Sequence, residues 1–498
     1  MPGTFETVLL SLVSVDTILA MLVGVTGGLV IGALPGLTAN MGVALLIPVT
    51  FGMDPAAALI MLLAVYTSAI FGGSFSAVLL HTPGTSASAA TAIDGYALTL
   101  QGKAGLALRI ATFSSVCGGL ISGIFLLTLT PPLSLISLKF GPAEYFLVAV
   151  FGLTAIGSVS TGSVNKGLIS GALGLLISTV GLEINSGFPR FTFGIGDLHS
   201  GVSFVAAMIG LFSLSQVLIM AESTHREKQL KANVINDWRY IPRWQEIKEI
   251  KTTVLKSSLI GVLVGILPGA GGDIASWISY NEAKKSTKKP ELFGKGSIEG
   301  VAASEAANNA VCGGSMIPLL TLGIPGSATA AVMLGGLMIQ GLVPGRELFT
   351  RYAELSYTVM IGFLLANIAM GVVGMLIARF MVNVTKLSNK VLAPLVVVFC
   401  VVGSFAVGNS LFNIWVMLVF GILGYIMRKT GFHPAPMVLG LILGPMAEKG
   451  FRQSLALSDG NLFGYFLTRP ISVILIVLIV LTLISPLLFK KKKAKALV

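Results

Sequence analysis

Charge is scarce in this sequence. Asp, Glu, Lys and Arg make up 11% of its 498 residues, against roughly 25% in a soluble domain, which excludes a water-soluble fold for most of the chain. Cysteine is scarcer: Cys117, Cys312 and Cys400 each sit in an apolar run without CxxC spacing, so they read as small core hydrophobes rather than a disulfide or metal framework. None of the four histidines lies at metal-ligand spacing from another. No GxxxxGK[ST] phosphate loop, no HExxH and no GxSxG occurs, so neither an ATP motor nor a common hydrolase is visible. Lys and Arg are missing before Lys103. The opening MPGTFETVLLSLVSVD therefore lacks the basic region of a cleavable signal peptide and reads as mature chain.

What is abundant is apolar surface: 54% of residues are hydrophobic and the mean hydropathy is +0.89. Runs long enough for a bilayer, roughly 17 to 25 residues, recur at 18–34, 56–80, 106–130 and 471–489. About a dozen segments cross or re-enter by that criterion. The formal net charge of +12 does not form a nucleic-acid patch, because the bases crowd into 226–256, KKSTKK (284–289) and KKKKAK (490–495). That is the signature of cytoplasmic loops.

Two stretches, GALPGLTAN (32–40) and GILPGAGGD (265–273), place Pro-Gly where a bilayer helix should be unbroken. One offset of 233 carries Gly28, Gly32, Pro35 and Gly36 onto Gly261, Gly265, Pro268 and Gly269. GGSFSAVLLHTPGTSASAAT (72–91) then matches GGSMIPLLTLGIPGSATAAVM (313–333), with one extra residue in the second copy, and GALGLLISTVG (171–181) matches GILGYIMRKTG (421–431). Three collinear matches make an internal duplication.

Charge orients the copies. With 222–256 in the cytoplasm, Lys103, Arg109 and Lys166 fall inside and the N-terminus outside, while Arg379, Lys386, Lys390, Arg428 and Lys429 of the second copy also fall inside. Equivalent positions have swapped sides, so the repeats are expected to be inverted about an axis in the membrane plane. Arg346, Arg351, Lys449 and Arg452 run against this scheme. The expected organisation is a first repeat over 1–221, a basic cytoplasmic linker over 222–256, and a second repeat over 257–447. An external loop, a final transmembrane helix and a Lys-rich cytoplasmic tail fill 448–498.

Proline removes a backbone donor and the glycine beside it admits unusual angles, so the helices break at these pairs. Broken helices in a membrane are tolerated where they face protein or a watery cavity, and there transporters place substrate and ions. Helices restarting at Thr38, Thr85, Ala270 and Ser327 would aim N–H groups and positive dipole ends at an anion. The substrate-binding candidates are Gly36, Thr38, Gly84, Thr85, Ser86, Gly269, Gly271, Gly326 and Ser327. The hydroxyls of Thr82, Ser88 and Thr91 share the same segment, and all of these also suit helix capping or close packing. Asn40 and Asp273, equivalent by the offset, with Asn308 and Asn309, are candidate coupling-cation ligands, the alternative being helix caps. Asp94 and Glu305 fit an interface or a functional role equally; His81 fits an anion contact or a plain hydrogen bond.

GALPGLTANMGVALLIPVTFGMDPAAAL, GGSFSAVLLHTPGTSASAATAIDGY followed by QGKAG, ILPGAGG and EAANNAVCGGSMIPLLTLGIPGS resemble the large membrane subunit of the tripartite tricarboxylate transporter family. The likeness spans about residues 19 to 460. It implies a bacterial inner-membrane permease that works with a small membrane subunit and a periplasmic solute-binding receptor, and that imports carboxylates such as citrate by symport with Na⁺ or H⁺. The expectation is thus an all-α polytopic membrane protein of two inverted-topology repeats whose re-entrant or broken helices meet near the bilayer midplane. No enzymatic activity, no cofactor beyond the coupling cation and no nucleic-acid partner is expected. A receptor-independent organic-anion transporter, a passive channel and a membrane-embedded enzyme are the rivals.

Overall fold

The computed structural model describes residues 2–34, 36–137, 139–159, 164–183, 186–222, 241–384 and 389–495. Pro35, most of the expected linker (223–240), the basic positions Lys386 and Arg226, and the last three residues lie outside them.

In the first half, α1 (Pro2–Val13) and α2 (Val15–Ala33) lead to the short α3 (Ala39–Leu46) and the long α4 (Pro55–Leu80). Next come α5 (Ala89–Leu100), α6 (Ala104–Ser137), α7 (Pro142–Val159) and α8 (Val164–Ser178), then a small antiparallel hairpin of β1 (Gly181–Leu182) and β2 (Pro189–Arg190). One run holds α9 (Phe204–Met208), a π turn over Ile209–Leu214 and α10 (Ser215–Glu222). The second half begins with α11 (Trp244–Ile266), which starts inside the expected linker, and continues through α12 (Gly271–Ser286), α13 (Ile298–Leu322), α14 (Ala328–Ile339) and α15 (Arg346–Thr350). Last come α16 (Ala353–Val384), α17 (Asn389–Ala406), α18 (Leu411–Lys429), α19 (Pro434–Leu457), α20 (Leu462–Leu467) and α21 (Pro470–Lys495).

Among the described residues, six helical runs are long and apolar enough to span a bilayer, and six shorter apolar helices join them. The chain is an all-α polytopic membrane protein.

Two helices form its centre. Asp54 caps α4 through the N–H groups of Ala56 and Ala57, at 3.0 and 3.3 Å, with Pro55 pre-set for the first turn. From Ala56 to Leu79 every residue of α4 is buried, and so is every residue of α13 from Gly300 to Thr321. A mostly apolar helix with a few hydroxyls and one carrying Glu305, Asn308 and Asn309 both end up inside, because small residues let neighbours press onto them. A first side-chain carbon at Gly28 or Gly32 of α2 would lie 2.8 or 2.1 Å from the carbonyl oxygen of Val65 or Ala69 on α4. At Gly261 or Gly265 of α11 it would lie 2.4 or 2.9 Å from that of Ala307 or Val311 on α13. The same packing therefore occurs in both halves.

The register between halves is more uniform than the sequence match suggested. His81 ends α4 at φ 58° and Gly323 ends α13 at φ 73°; 323 minus 81 is 242. Gly84 rests on the Gly32 carbonyl and Gly326 on the Gly265 carbonyl, with first-carbon distances of 2.0 and 1.9 Å; 326 minus 84 is again 242. No extra residue separates the copies here. Gly72, against the Leu29 carbonyl, matches Gly314, against that of Val262.

Candidate functional site

All four expected restarts are present. Thr38 caps α3, its hydroxyl accepting from Met41 N–H at 3.5 Å, and Ser327 caps α14 by accepting from Ala330 N–H at 3.1 Å. Thr85 opens the helical run that becomes α5, in a reciprocal box with Ser88, and α12 starts after Ala270. The breaks turn at Gly36 (φ 88°) and Gly269 (φ 78°), angles that exclude most side chains.

These starts converge on one cavity of about 200 Å³, below the ~300–1,000 Å³ of drug-sized sites. Its wall draws matching residues from both halves. Thr38, Ala39 and Asn40 face it with Gly271, Gly272 and Asp273, an offset of 233; Thr85, Ser86 and Ala87 face it with Ser327, Ala328 and Thr329, an offset of 242. The same offset pairs Tyr66 with Asn308 and Ile70 with Cys312 on the two central helices.

Of the substrate-binding candidates, Thr38, Thr85, Ser86, Gly269, Gly271 and Ser327 line the cavity. Gly36 lies beside it, near Gln216. Gly84 and Gly326 sit one residue behind the wall, where they let each tip cross the backbone of α2 or α11. Ser88 bonds the Thr85 carbonyl at 2.9 Å, Thr82 the Leu80 carbonyl at 3.3 Å, and Thr91 points to Glu305. His81 stacks on Tyr96 with ring centroids 4.7 Å apart.

The four cation candidates differ. Asn40 accepts a 2.6 Å hydrogen bond from Thr329, joining α3 to α14. Asp273 lines the cavity from the first turn of α12. Asn308 is 1% exposed and lines the cavity with neither amide atom hydrogen-bonded. Asn309 turns away, donating to the Ser115 carbonyl at 3.2 Å, with its Oδ1 unpartnered. Among the described residues no group of three His, Cys, Asp or Glu side chains is placed to hold a metal.

Asp94 is a structural knot. Its Oδ1 accepts the N–H groups of Gly294, Gly296 and Ser297 at 2.8 to 2.9 Å, and its Oδ2 the Tyr280 hydroxyl at 2.8 Å.

Sequence reasoning missed the cavity's cation. Arg428 of α18 reaches the wall, donating from Nη1 to Gln216 Oε1 at 2.9 Å while its Nε is buried without a partner. No ion pair holds it among the described residues. His433, the cap of α19, stands beside it in the wall. On the sequence Arg428 belonged to a cytoplasmic pair with Lys429; both lie in the last turn of α18, and only the side of the helix that each occupies, which no charge count reveals, sends Arg428 to the wall. Tyr66, missed because it lies in a long, mostly apolar run, bonds Ser315 at 3.1 Å and Ser327 at 2.7 Å.

The cavity is thus built from two matching helix-tip sets and one guanidinium, and comparison with known proteins gives the chain's kind. The family model described as "Tripartite tricarboxylate transporter TctA family" matches residues 18–439. The chain belongs to that family. It is 37% identical over 451 residues, 90% of its length and 89% of the relative's, to an Agrobacterium vitis protein described as "Uncharacterized 52.8 kDa protein in TAR-I ttuC' 3'region". It is 36% identical over 212 residues, 43% of its length and 87% of the relative's, to an "Uncharacterized protein in TAR-II ttuC' 3'region" of the same organism. No solved structure matches. As a member of the TctA family the chain is a membrane transporter and not an enzyme.

Proposed function

We propose that this chain is the permease subunit of a receptor-dependent secondary transporter that imports a small carboxylate, a tricarboxylate such as citrate or a related organic anion, by cation symport across the bacterial inner membrane. The observation that carries the reading is Arg428, a cation without an ion-pair partner among the described residues, in a wall of helix starts, hydroxyls and amides that holds one carboxylate, Asp273. Such an environment is complementary to carboxylate oxygens. The cavity's pairing of matching residues supports two repeats that meet at a shared site, inverted as in other broken-helix carriers. Charge contacts support the expected sidedness: Lys166 reaches the Thr430 carbonyl at 2.6 Å, Lys429 pairs with Glu222, and Arg109 with Glu246 at 2.6 Å. In this reading the N-terminus is outside, and the linker and tail are cytoplasmic. A periplasmic receptor would deliver the anion and a small membrane subunit would assist.

A trianion entering an inside-negative cell opposes roughly 2.3 kcal/mol per charge per 100 mV, so about 7 kcal/mol must be offset before accumulation. More than three co-entering monovalent cations reverse that sign. The test is citrate uptake into proteoliposomes holding this chain, the small subunit and the receptor, with Na⁺ and H⁺ gradients imposed separately. Uptake against a concentration gradient is expected with one of them. Accumulation with both collapsed, or full activity without the receptor, removes the reading.

A further inference from the structure

Glu305 lies at 0% exposure in the middle of α13. Three hydroxyls from three other helices converge on its carboxylate: Ser74 of α4 at 2.6 Å, Thr91 of α5 at 2.5 Å and Ser115 of α6 at 2.8 Å. Ser304 bonds Thr91 at 2.9 Å behind them. The charged groups on the surrounding helices are engaged elsewhere. Asp94 holds the 294–297 backbone and Tyr280, Arg109 holds Glu246, and Glu299 holds Thr253 and Thr287. Tyr66 bonds Ser315 and Ser327, Asp273 faces the cavity, and Lys256 of α11 is exposed. Cys117 and Cys312 carry free thiols on α6 and α13. No cation accompanies Glu305 among the described residues.

A carboxylate charge buried without a counter-ion costs more than hydroxyl donors return, so something positive must travel with it when it is in this closed pocket. The oxygens are in direct hydrogen-bond contact, whereas ligands spread around a metal ion that sits ~2.0–2.6 Å from each. A proton fits where a metal ion does not. Glu305 is also one helical turn, about 5 Å along the axis, from Asn308, whose free amide lines the cavity.

We propose that Glu305 carries the coupling proton of the transport cycle. Resting on the symport reading above, this names the ion and its carrier. Glu305 takes up a proton as the anion binds, passes through the closed state as the neutral acid donating to a neighbouring hydroxyl, and releases the proton to cytoplasmic water with the anion. The carboxylate left behind exists only while the pocket is open to water, where Ser74, Thr91 and Ser115 donate to it until the next proton arrives and the pocket can close.

The test uses membrane vesicles carrying the whole transporter, labelled citrate as probe, and two assays on the parent and on Glu305→Gln, which keeps the shape of the protonated acid. One assay is accumulation driven by an imposed proton gradient; the other is exchange of internal against external citrate at equal pH, which requires no net proton movement. The expected result is loss of accumulation with exchange retained at the parent level. An infrared difference spectrum should also lose a buried protonated-carboxyl carbonyl band in Glu305→Gln, a readout that does not depend on transport. Glu305→Gln that still accumulates citrate on a proton gradient, a parent driven by Na⁺ and indifferent to protons, or loss of exchange in a normally inserted variant each overturns the proposal. A parent that accumulates on no cation gradient removes instead the symport reading beneath it.

Discussion

The two halves end differently. The match of Gly171, Gly174 and Gly181 to Gly421, Gly424 and Gly431 sets the end of α8 beside that of α18, an offset of 250. In the first half the chain leaves α8 through Ser178, which packs against Gly444, into a hairpin tied by Glu183 to Arg452 at 3.0 Å and by Arg190 to Glu448 at 2.7 Å. At the positions equivalent to Ser178 and Glu183, the second half carries Arg428 and His433, and both turn into the cavity. The central helices diverge in the same sense: α13 carries Asn308 and Glu305 where α4 carries Tyr66 and Leu63. The tips come in matched pairs, while Arg428, Asn308 and Glu305 stand where the first half carries Ser178, Tyr66 and Leu63. Under the proposed function, such a matched frame with an unmatched filling would present one site by turns to either side without two copies of the chemistry.

Arg428→Gln should test that asymmetry most severely. Removing one member of a buried charge contact costs about 2–5 kcal/mol, so uptake should fall roughly 30- to 5,000-fold in kcat/KM at unchanged membrane content, whereas Ser178→Ala at the matching position should transport like the parent. Equal effects at the two positions would dissolve the contrast.

Gly84→Val and Gly326→Val test the shared frame. Their new carbons would strike the Gly32 and Gly265 carbonyls, so both should lower the yield of folded protein about equally, detected by monodispersity after extraction. Folded variants defective only in transport would instead place these glycines at the substrate. The two central residues come next. Asn308→Ala should raise KM by about tenfold, the ~1.4 kcal/mol of one ligand hydrogen bond. Tyr66→Phe should chiefly lower thermal stability, by about 1–3 kcal/mol for buried hydroxyls left without their partner.

The frame was legible in the sequence because glycine and proline state backbone demands directly: each expected restart, at Thr38, Thr85, Ala270 and Ser327, is a helix start, and Asn40, Asp273 and Asn308 reach the cavity. The register needed the structure, since His81 takes the left-handed turn that Gly323 takes in the other copy, and a sequence match cannot equate the two. Arg428 was hidden by its neighbour: a cationic pair at a helix end reads as a cytoplasmic anchor, and only the turn of α18 separates the inward Arg428 from Lys429, which pairs with Glu222. Asn309, one position from Asn308, rotates about 100° around the helix and so leaves the site.

The smallest expected effect lies at the hairpin that the first half has and the cavity lacks. The Arg190 guanidinium, bonded to both Glu448 carboxylate oxygens at 2.7 and 3.1 Å, holds that carboxyl below its ordinary range, and Arg452 adds to the pull. A carboxyl lowered in the folded state contributes stability that is fully present above its unfolded value, near ~4.3, and is lost as pH falls through the folded value. Both partners are about one-fifth exposed, so solvent screening keeps the contribution below about 1 kcal/mol. Glu448→Gln should therefore lower the melting temperature slightly at neutral pH, converge with the parent in acid, and leave citrate uptake unchanged. A transport defect in that variant would mean that the two ends of the halves are coupled, and that the hairpin takes part in the cycle rather than merely closing the first repeat.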